Sequence, residues 1–174
     1  MSVLERVKLS KNGLPTWDSL FPYVMEYILL KENASSIDIK VEVADSLGLS
    51  EELRNIRYDS NNEDNIIENR VAFAISALKR AGLISNIKRG IYKATILGDK
   101  LFKEHLFKLD RSIIESTQEY MDYYKKDSQK NIEKDERISE TETFDLLENI
   151  QEKIEQVKSE REGELLDLIL RSEE

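Results

Sequence analysis

Apolar residues recur every three or four positions along much of the chain, which is the spacing of an amphipathic helix. The first such stretch begins at Thr16, its expected N-cap, and its apolar face contains Trp17, Leu20, Phe21, Val24 and Ile28. A second runs over about 38–47 after a short extended entry at 36–38, and a third runs over about 64–81. A glycine directly follows the second and the third stretch and ends each predicted helix. The pattern therefore predicts three helices before residue 82.

After the third helix the pattern changes to two short β-prone runs. Residues 83–87 and 91–96 flank the turn Lys88-Arg89-Gly90, which predicts a β-hairpin. Another helix is expected over about 97–106. Helix, short strand, helix, helix, hairpin and helix, in that order, are typical of a winged helix-turn-helix domain. We therefore predict a mainly α fold: a winged helix-turn-helix domain with a small β-hairpin wing, followed by a C-terminal helical extension.

The last third of the chain predicts two helices with a linker between them. A helix capped by Asp110 is expected to end near residue 126, and the polar, aperiodic segment 127–138 is typical of a flexible linker. Residues 139–174 predict a long amphipathic connector helix, because Ser139 and Glu142 have the spacing of a capping box. The chain then divides into a winged-helix domain at 1–126, the linker, and the connector helix.

The connector helix also predicts an oligomeric state. Its apolar seam contains Leu147, Ile150, Ile154 and Val157, and its end at 165–170 is unusually apolar. This is more apolar surface than a lone surface helix can cover. We therefore predict a homodimer joined through residues 140–171. In the alternative arrangement, the connector helix folds back onto the 110–126 helix of its own chain.

Composition excludes several classes of protein. The chain has no Cys and one His, which excludes disulfide scaffolds, thiolate metal sites and His-cluster metal sites. No apolar run approaches the ~18 residues of a membrane span, and the charged N-terminus is unlike a signal peptide. We therefore expect a soluble, cytoplasmic protein. Because the sequence holds no Gly-rich phosphate loop and no nucleophile–base arrangement, we expect no cofactor, no metal and no independent catalytic site.

Charge is unevenly distributed along the chain. The formal net charge is -9, yet residues 70–111 hold 10 basic and 3 acidic groups, a net charge of +7. The flanking segments are acidic, with a net charge of -6 in residues 1–69 and -10 in residues 112–174. A basic segment inside an acidic protein predicts a local patch for phosphates. The alternative is that this patch pairs with the acidic C-terminal third.

Several short motifs resemble one known family, the N-terminal winged-helix domain of Mrr-like restriction endonucleases. They are Leu-Pro-Thr-Trp-Asp at 14–18, Leu-Gly-Leu-Ser at 47–50, Glu-Asn-Arg-Val-Ala-Phe-Ala at 68–74, Leu-Lys-Arg-Ala-Gly-Leu-Ile at 78–84 and Lys-Arg-Gly-Ile-Tyr at 88–92. The resemblance covers about residues 14–126. It implies a winged-helix domain whose partner is double-stranded DNA, plain or methylated. A symmetric dimer of such domains suits a site with two spaced half-sites.

The nuclease that this family carries has no counterpart in the sequence. That nuclease needs an acidic residue on one strand and Glu/Gln-x-Lys on the next, to hold Mg²⁺ and the attacking water. The triplets at 151–153 and 156–158 have the letters Gln-x-Lys, but both lie in the predicted connector helix with no strand pair nearby. The resemblance therefore implies a target-recognition module of an Mrr-type restriction system, without nuclease activity of its own. The nuclease would be a separate domain or subunit.

Two other functions remain open on the residues alone. One is a winged-helix transcriptional regulator that is dimeric through its C-terminal helix. The other is a protein–protein adaptor that has lost DNA binding. The net charge of -9 favours the adaptor, whereas the +7 segment disfavours it.

The candidate DNA contacts are polar and basic side chains of the third helix and the wing. They are Asn69, Arg70, Ser76, Lys79, Arg80, Lys88, Arg89 and Lys93. Asn and Arg can hydrogen-bond base edges, while the wing cations suit phosphates. A bridge from Arg70 to Asp18 or Glu68 is the structural alternative, and a solvated face is the alternative for Ser76 and Lys79. Because the loop at 59–65 is acidic, we expect contact through the middle of the helix and the wing.

Overall fold

The computed structural model describes residues 3–58, 65–131 and residue 150. Within them lie short 3-10 helices at Val3–Arg6, Trp17–Leu20 and Leu106–Lys108. The α-helices are α1 (Phe21–Leu30), α2 (Ser36–Ser46), α3 (Glu51–Arg54), α4 (Ile66–Arg80), α5 (Ile96–His105), α6 (Arg111–Glu115) and α7 (Gln118–Asn131). The strands are β1 (Ala34–Ser35), β2 (Ile84–Lys88) and β3 (Ile91–Ala94).

Helices α1, α2 and α4 pack against one another around a single apolar core. Their inward positions follow the helical period of the sequence, and Val24, Ile39, Val43, Val71 and Leu78 are all at most 1% exposed. The 3-10 turn before α1 adds an aromatic pair, because the rings of Trp17 and Phe21 meet edge to face at 5.5 Å. The core thereby fixes which face of α4 points outward.

The sheet is a wing with the strand order β1-β3-β2, antiparallel throughout. The hairpin turns at Gly90, whose φ of 75° is accessible to glycine at little cost. On the other side of β3, the two residues of β1 pair with Tyr92 and Ile91. The Ser36 N–H donates to the Gly90 carbonyl at 2.9 Å, so the segment that enters α2 also holds the turn of the wing. Together, the helices and hairpin form the predicted winged helix-turn-helix arrangement.

Side-chain caps set the beginnings of four helices. Ser35, Ser50, Thr95 and Asp110 each accept a hydrogen bond from the backbone N–H three residues later, at the starts of α2, α3, α5 and α6. The sequence predicted the cap at Asp110. Thr16, the expected cap of the first helix, makes no capping hydrogen bond, and regular α-helix begins only at Phe21.

Three expected boundaries are wrong. The extended entry lies at Ala34–Ser35 and α2 already begins at Ser36, because Ser35 is its cap. The helix expected over 110–126 is divided into α6 and α7, because the Thr117 hydroxyl accepts the Tyr120 N–H and starts a new helix. Helix α7 then continues to Asn131, so the first five residues of the expected linker are helical.

The rest of the expected linker, 132–138, lies outside the described residues. So does the connector helix at 139–174, apart from Ile150, whose side chain is 43% exposed. The predicted dimer seam therefore remains a prediction. None of the helices in the described parts of the chain combines the length and the apolar character of a membrane span.

Candidate nucleic-acid interface

The wing presents the most exposed group of candidate cations. Lys88, Arg89 and Lys93 are all exposed, Lys88 and Lys93 on the two strands and Arg89 in the turn. The register of β2 shifts between Asn86 and Lys88, so Ile87 is an extra residue on the edge strand. The wing cations therefore lie on a short hairpin that is paired along β3 and open to solvent at its tip. Side chains so placed can reach phosphate oxygens without any rearrangement of the backbone.

The outward face of α4 carries several of the other candidates. Because Val71, Ala74 and Leu78 point into the core, Asn69 and Ser76 lie on the opposite side of the helix. Asn69 and Ser76 are half-buried, and Lys79 is exposed. This face is the one that a winged helix presents to a DNA groove.

Arg70 belongs to the core rather than to this face. Its side chain is 2% exposed. Its Nη1 donates to the Ser10 hydroxyl at 2.8 Å and to the carbonyl oxygens of Leu14 and Pro15 at 3.2 and 2.9 Å. The assignment of Arg70 to the DNA-contacting set is therefore corrected, since a buried guanidinium does not reach a base edge. Arg70 instead fixes the segment before the 3-10 turn at Trp17–Leu20 onto α4.

The acidic loop before α4 lies, at residues 59–64, outside the described residues, but two cations lie beside the beginning of the helix. Arg57 Nε donates to the Asn65 side-chain oxygen at 3.3 Å, and the backbones of these two residues form an isolated bridge. Lys40 of α2 lies 3.6 Å from the Glu68 carboxylate. Sequence reasoning missed both cations, because their positions depend on contacts with residues that are 8 and 28 places away in the chain.

Helix α7 lies beside the second half of α4, and a groove of about 540 Å³ separates them. Ser76, Lys79 and Arg80 line the groove from α4; Glu119, Asp122, Tyr123 and Lys126 line it from α7. The Arg80 guanidinium carbon lies 5.4 Å from the centre of the Tyr123 ring, within the range of a cation–π contact. Three of the candidate residues thus face two carboxylates and one lysine of α7, a helix in the C-terminal third that was the alternative partner of the basic segment.

No group of three or more His, Cys, Asp or Glu side chains in the described parts of the chain is arranged to hold a metal ion. The Lys and Arg side chains on the wing and on α4 give this surface its chemical character. They can donate to phosphate, and Asn69 and Ser76 add neutral hydrogen-bonding groups. Such a surface can bind a polyanion and orient it.

Comparison with known proteins identifies the family of the domain that carries this surface. No curated protein and no solved structure matches the chain. The family described as Mrr N-terminal domain matches residues 17–104, which is 88 of the 174 residues. The match begins at the 3-10 turn before α1 and ends in the last turn of α5, so it contains α4 and the whole wing. The chain belongs to the Mrr N-terminal domain family.

Proposed function

We propose that this protein binds duplex DNA as the target-recognition domain of an Mrr-type restriction system and does not itself cut DNA. The observation that carries the proposal is the exposed wing with Lys88, Arg89 and Lys93, in a segment with a net charge of +7. Membership of the Mrr N-terminal domain family supports the association with restriction. Phosphate contacts by the wing supply affinity and register, and Asn69 on α4 is available for a base edge.

The test is a mobility-shift titration with plain and methylated duplexes at several salt concentrations. We expect the affinity of the wild type to fall steeply with salt, because each neutralised phosphate adds about 0.9 to the slope of log affinity against log salt. Reversing all three wing charges (Lys88→Glu, Arg89→Glu and Lys93→Glu) removes those contacts and abolishes most of the affinity for DNA of arbitrary sequence.

The N-terminal segment offers a matched control. Arg6, Lys8 and Lys11 are also one arginine and two lysines, and all three are exposed. Reversing them changes the net charge of the protein by the same amount but leaves the wing intact. We expect this control to keep the salt dependence and most of the affinity of the wild type. Equal losses in the two triple variants would mean that overall charge, and not the wing, governs binding.

A second assay addresses the absence of nuclease activity. Incubation of the chain with Mg²⁺ and plain or methylated plasmid should leave the plasmid intact, because the residues that resemble a metal-binding motif lie in a predicted helix. Reproducible metal-dependent nicking by the pure protein contradicts this part of the proposal. Failure of the wild type to bind any duplex at low salt favours the adaptor instead, which the acidic net charge of -9 would suit.

A further inference from the structure

Helix α7 lies beside the part of α4 that carries Ser76, Lys79 and Arg80. Its approach is close at the end of α4, where a Cβ placed on Gly82 would lie 2.7 Å from Glu119 Cγ. Ser76 and Arg80 are only partly exposed, in contrast to the wing cations. Helix α7 therefore occupies space next to the outward face of α4, where a DNA backbone would have to lie.

The side chains of the groove, like its shape, act against DNA binding. Arg80 has its guanidinium over the Tyr123 ring, and this contact holds the side chain against α7. The carboxylates of Glu119 and Asp122 line the same groove as Lys79 and Arg80, together with Lys126 of α7. The two carboxylates offset part of the positive charge of the groove and weaken its attraction for phosphate.

We infer that α7 is an intramolecular competitor of DNA, which restrains binding through the second half of α4 until it is displaced. This inference rests on the proposed DNA-binding function and adds its regulation. In the resting protein, the wing and the first half of α4 are open to DNA. When α7 moves away, Arg80 joins the already exposed Lys79 in the contact surface, and the site covers more phosphates.

The strength of the restraint follows from its contacts. Tyr123 is 40% exposed, so its contact with Arg80 belongs to the weak, solvent-exposed class of cation–π interactions, which corresponds to about a two- to fivefold change in an equilibrium constant. Removing a carboxylate near the phosphates adds a further gain of similar size. Loosening α7 should therefore tighten DNA binding by about three- to tenfold.

The experiment compares the full chain with the double variant Asp122→Asn/Tyr123→Ala, measured by titration of one duplex at fixed salt. Both positions are exposed, so the core is not altered. The matched control is Glu104→Gln/Phe107→Ala. It also removes one negative charge and one exposed aromatic ring, but on α5 and the 3-10 turn after it, and Phe107 likewise makes ring contacts, with Tyr23 at 5.4 Å and Phe102 at 6.3 Å. We expect three- to tenfold tighter binding by the α7 variant and less than a twofold change in the control.

Arg80→Ala is made in the wild type and in the α7 variant (Asp122→Asn/Tyr123→Ala). The comparison distinguishes release of α7 from a simple local charge effect. In the wild type this change should alter affinity less than twofold, since Arg80 is engaged with Tyr123. In the α7 variant it should weaken binding at least threefold, because Arg80 has become a DNA contact. Equal effects of Arg80→Ala in the two backgrounds overturn the inference, even if the α7 variant binds more tightly.

The remaining outcomes distinguish the inference from the proposed function. If the wild type binds DNA with the expected salt dependence and the α7 variant binds equally well, the restraint does not exist, while DNA binding stands. If neither folded protein binds duplex DNA at low salt, the proposed function is wrong and the inference falls with it. Circular dichroism spectra and melting curves establish that each variant is folded.

Discussion

Because the guanidinium of Arg70 is buried, its contribution to stability can be measured separately from any contribution to DNA binding. The Nη1 atom carries two hydrogens, so its three acceptors amount to about two full hydrogen bonds in a site that is 2% exposed. Hydrogen bonds to a charged donor contribute about 1.5–3 kcal/mol each. Arg70→Met keeps much of the packing of the stem but leaves two buried carbonyls without this donor. Because burying the charge is itself unfavourable, part of the loss is offset. We expect the free energy of unfolding to fall by about 3 kcal/mol.

Urea denaturation measures this change. Trp17 is the single tryptophan and is 7% exposed within the core, so its fluorescence reports global unfolding. Arg89→Met is the matched control, because it makes the same replacement on the exposed wing, and its effect on stability should be within about 0.5 kcal/mol. The two variants should show opposite behaviour toward DNA: folded Arg70→Met should bind like the wild type, and Arg89→Met should bind more weakly. An Arg70→Met protein with unchanged stability and impaired DNA binding would refute the reasoning and return Arg70 to the interface.

Three further predictions concern other parts of the fold. Gly48 and Gly82 both have positive φ, but a Cβ meets nothing within 4 Å at Gly48 and meets α7 at Gly82. Gly82→Ala should therefore lower stability in urea by about 1 kcal/mol more than Gly48→Ala, and equal losses would mean that α7 is not packed there. Hydrogen bonds from the Ser112 hydroxyl and the Ile113 N–H lower the pKa of Asp110 below its usual 3.8. Ionisation of Asp110 therefore stabilises the folded state, and this stabilisation is lost as the pH falls through the lowered pKa. Asp110→Ala should destabilise the protein by about 1 kcal/mol at pH 7, and the difference from the wild type should shrink below pH 3.8; a difference independent of pH contradicts the capping role. Sedimentation should show a dimer for the full chain and a monomer for a chain ending at Lys126, whereas two monomers at tens of micromolar exclude the dimer through 140–171.

The sequence predicted those elements whose signals are local. The apolar stripe of α4, the glycine that ends it and the two β-prone runs around Gly90 all act within a few residues, so the helix and the wing were predictable. The division between α6 and α7 was not, because it depends on Thr117 using its side chain as a cap inside a run that keeps helical spacing.

The same distinction between local and long-range signals applies to the residues of the candidate site. Lys88 and Arg89 are exposed at the turn of the hairpin and Lys93 is exposed on its second strand, and the sequence indicates the hairpin. The surroundings of Arg70 depend on acceptors that are 55 to 60 residues earlier in the chain. The contact between Arg80 and Tyr123 depends on how α7 returns to α4 after five intervening elements. Neither kind of long-range contact leaves a periodic signal in the sequence.

The two residues of β1 have a consequence for how the protein meets a ligand. Ser35 caps α2 through its side chain and pairs with Ile91 of the wing through its backbone. Strand β1 and the hydrogen bond from Ser36 to Gly90 thus join the wing directly to the beginning of α2. The separation between wing cations and α4 is then already set before DNA arrives, and association loses little conformational entropy in ordering the hairpin. Because this separation is fixed, DNA binding should depend on the width of the groove as well as on charge.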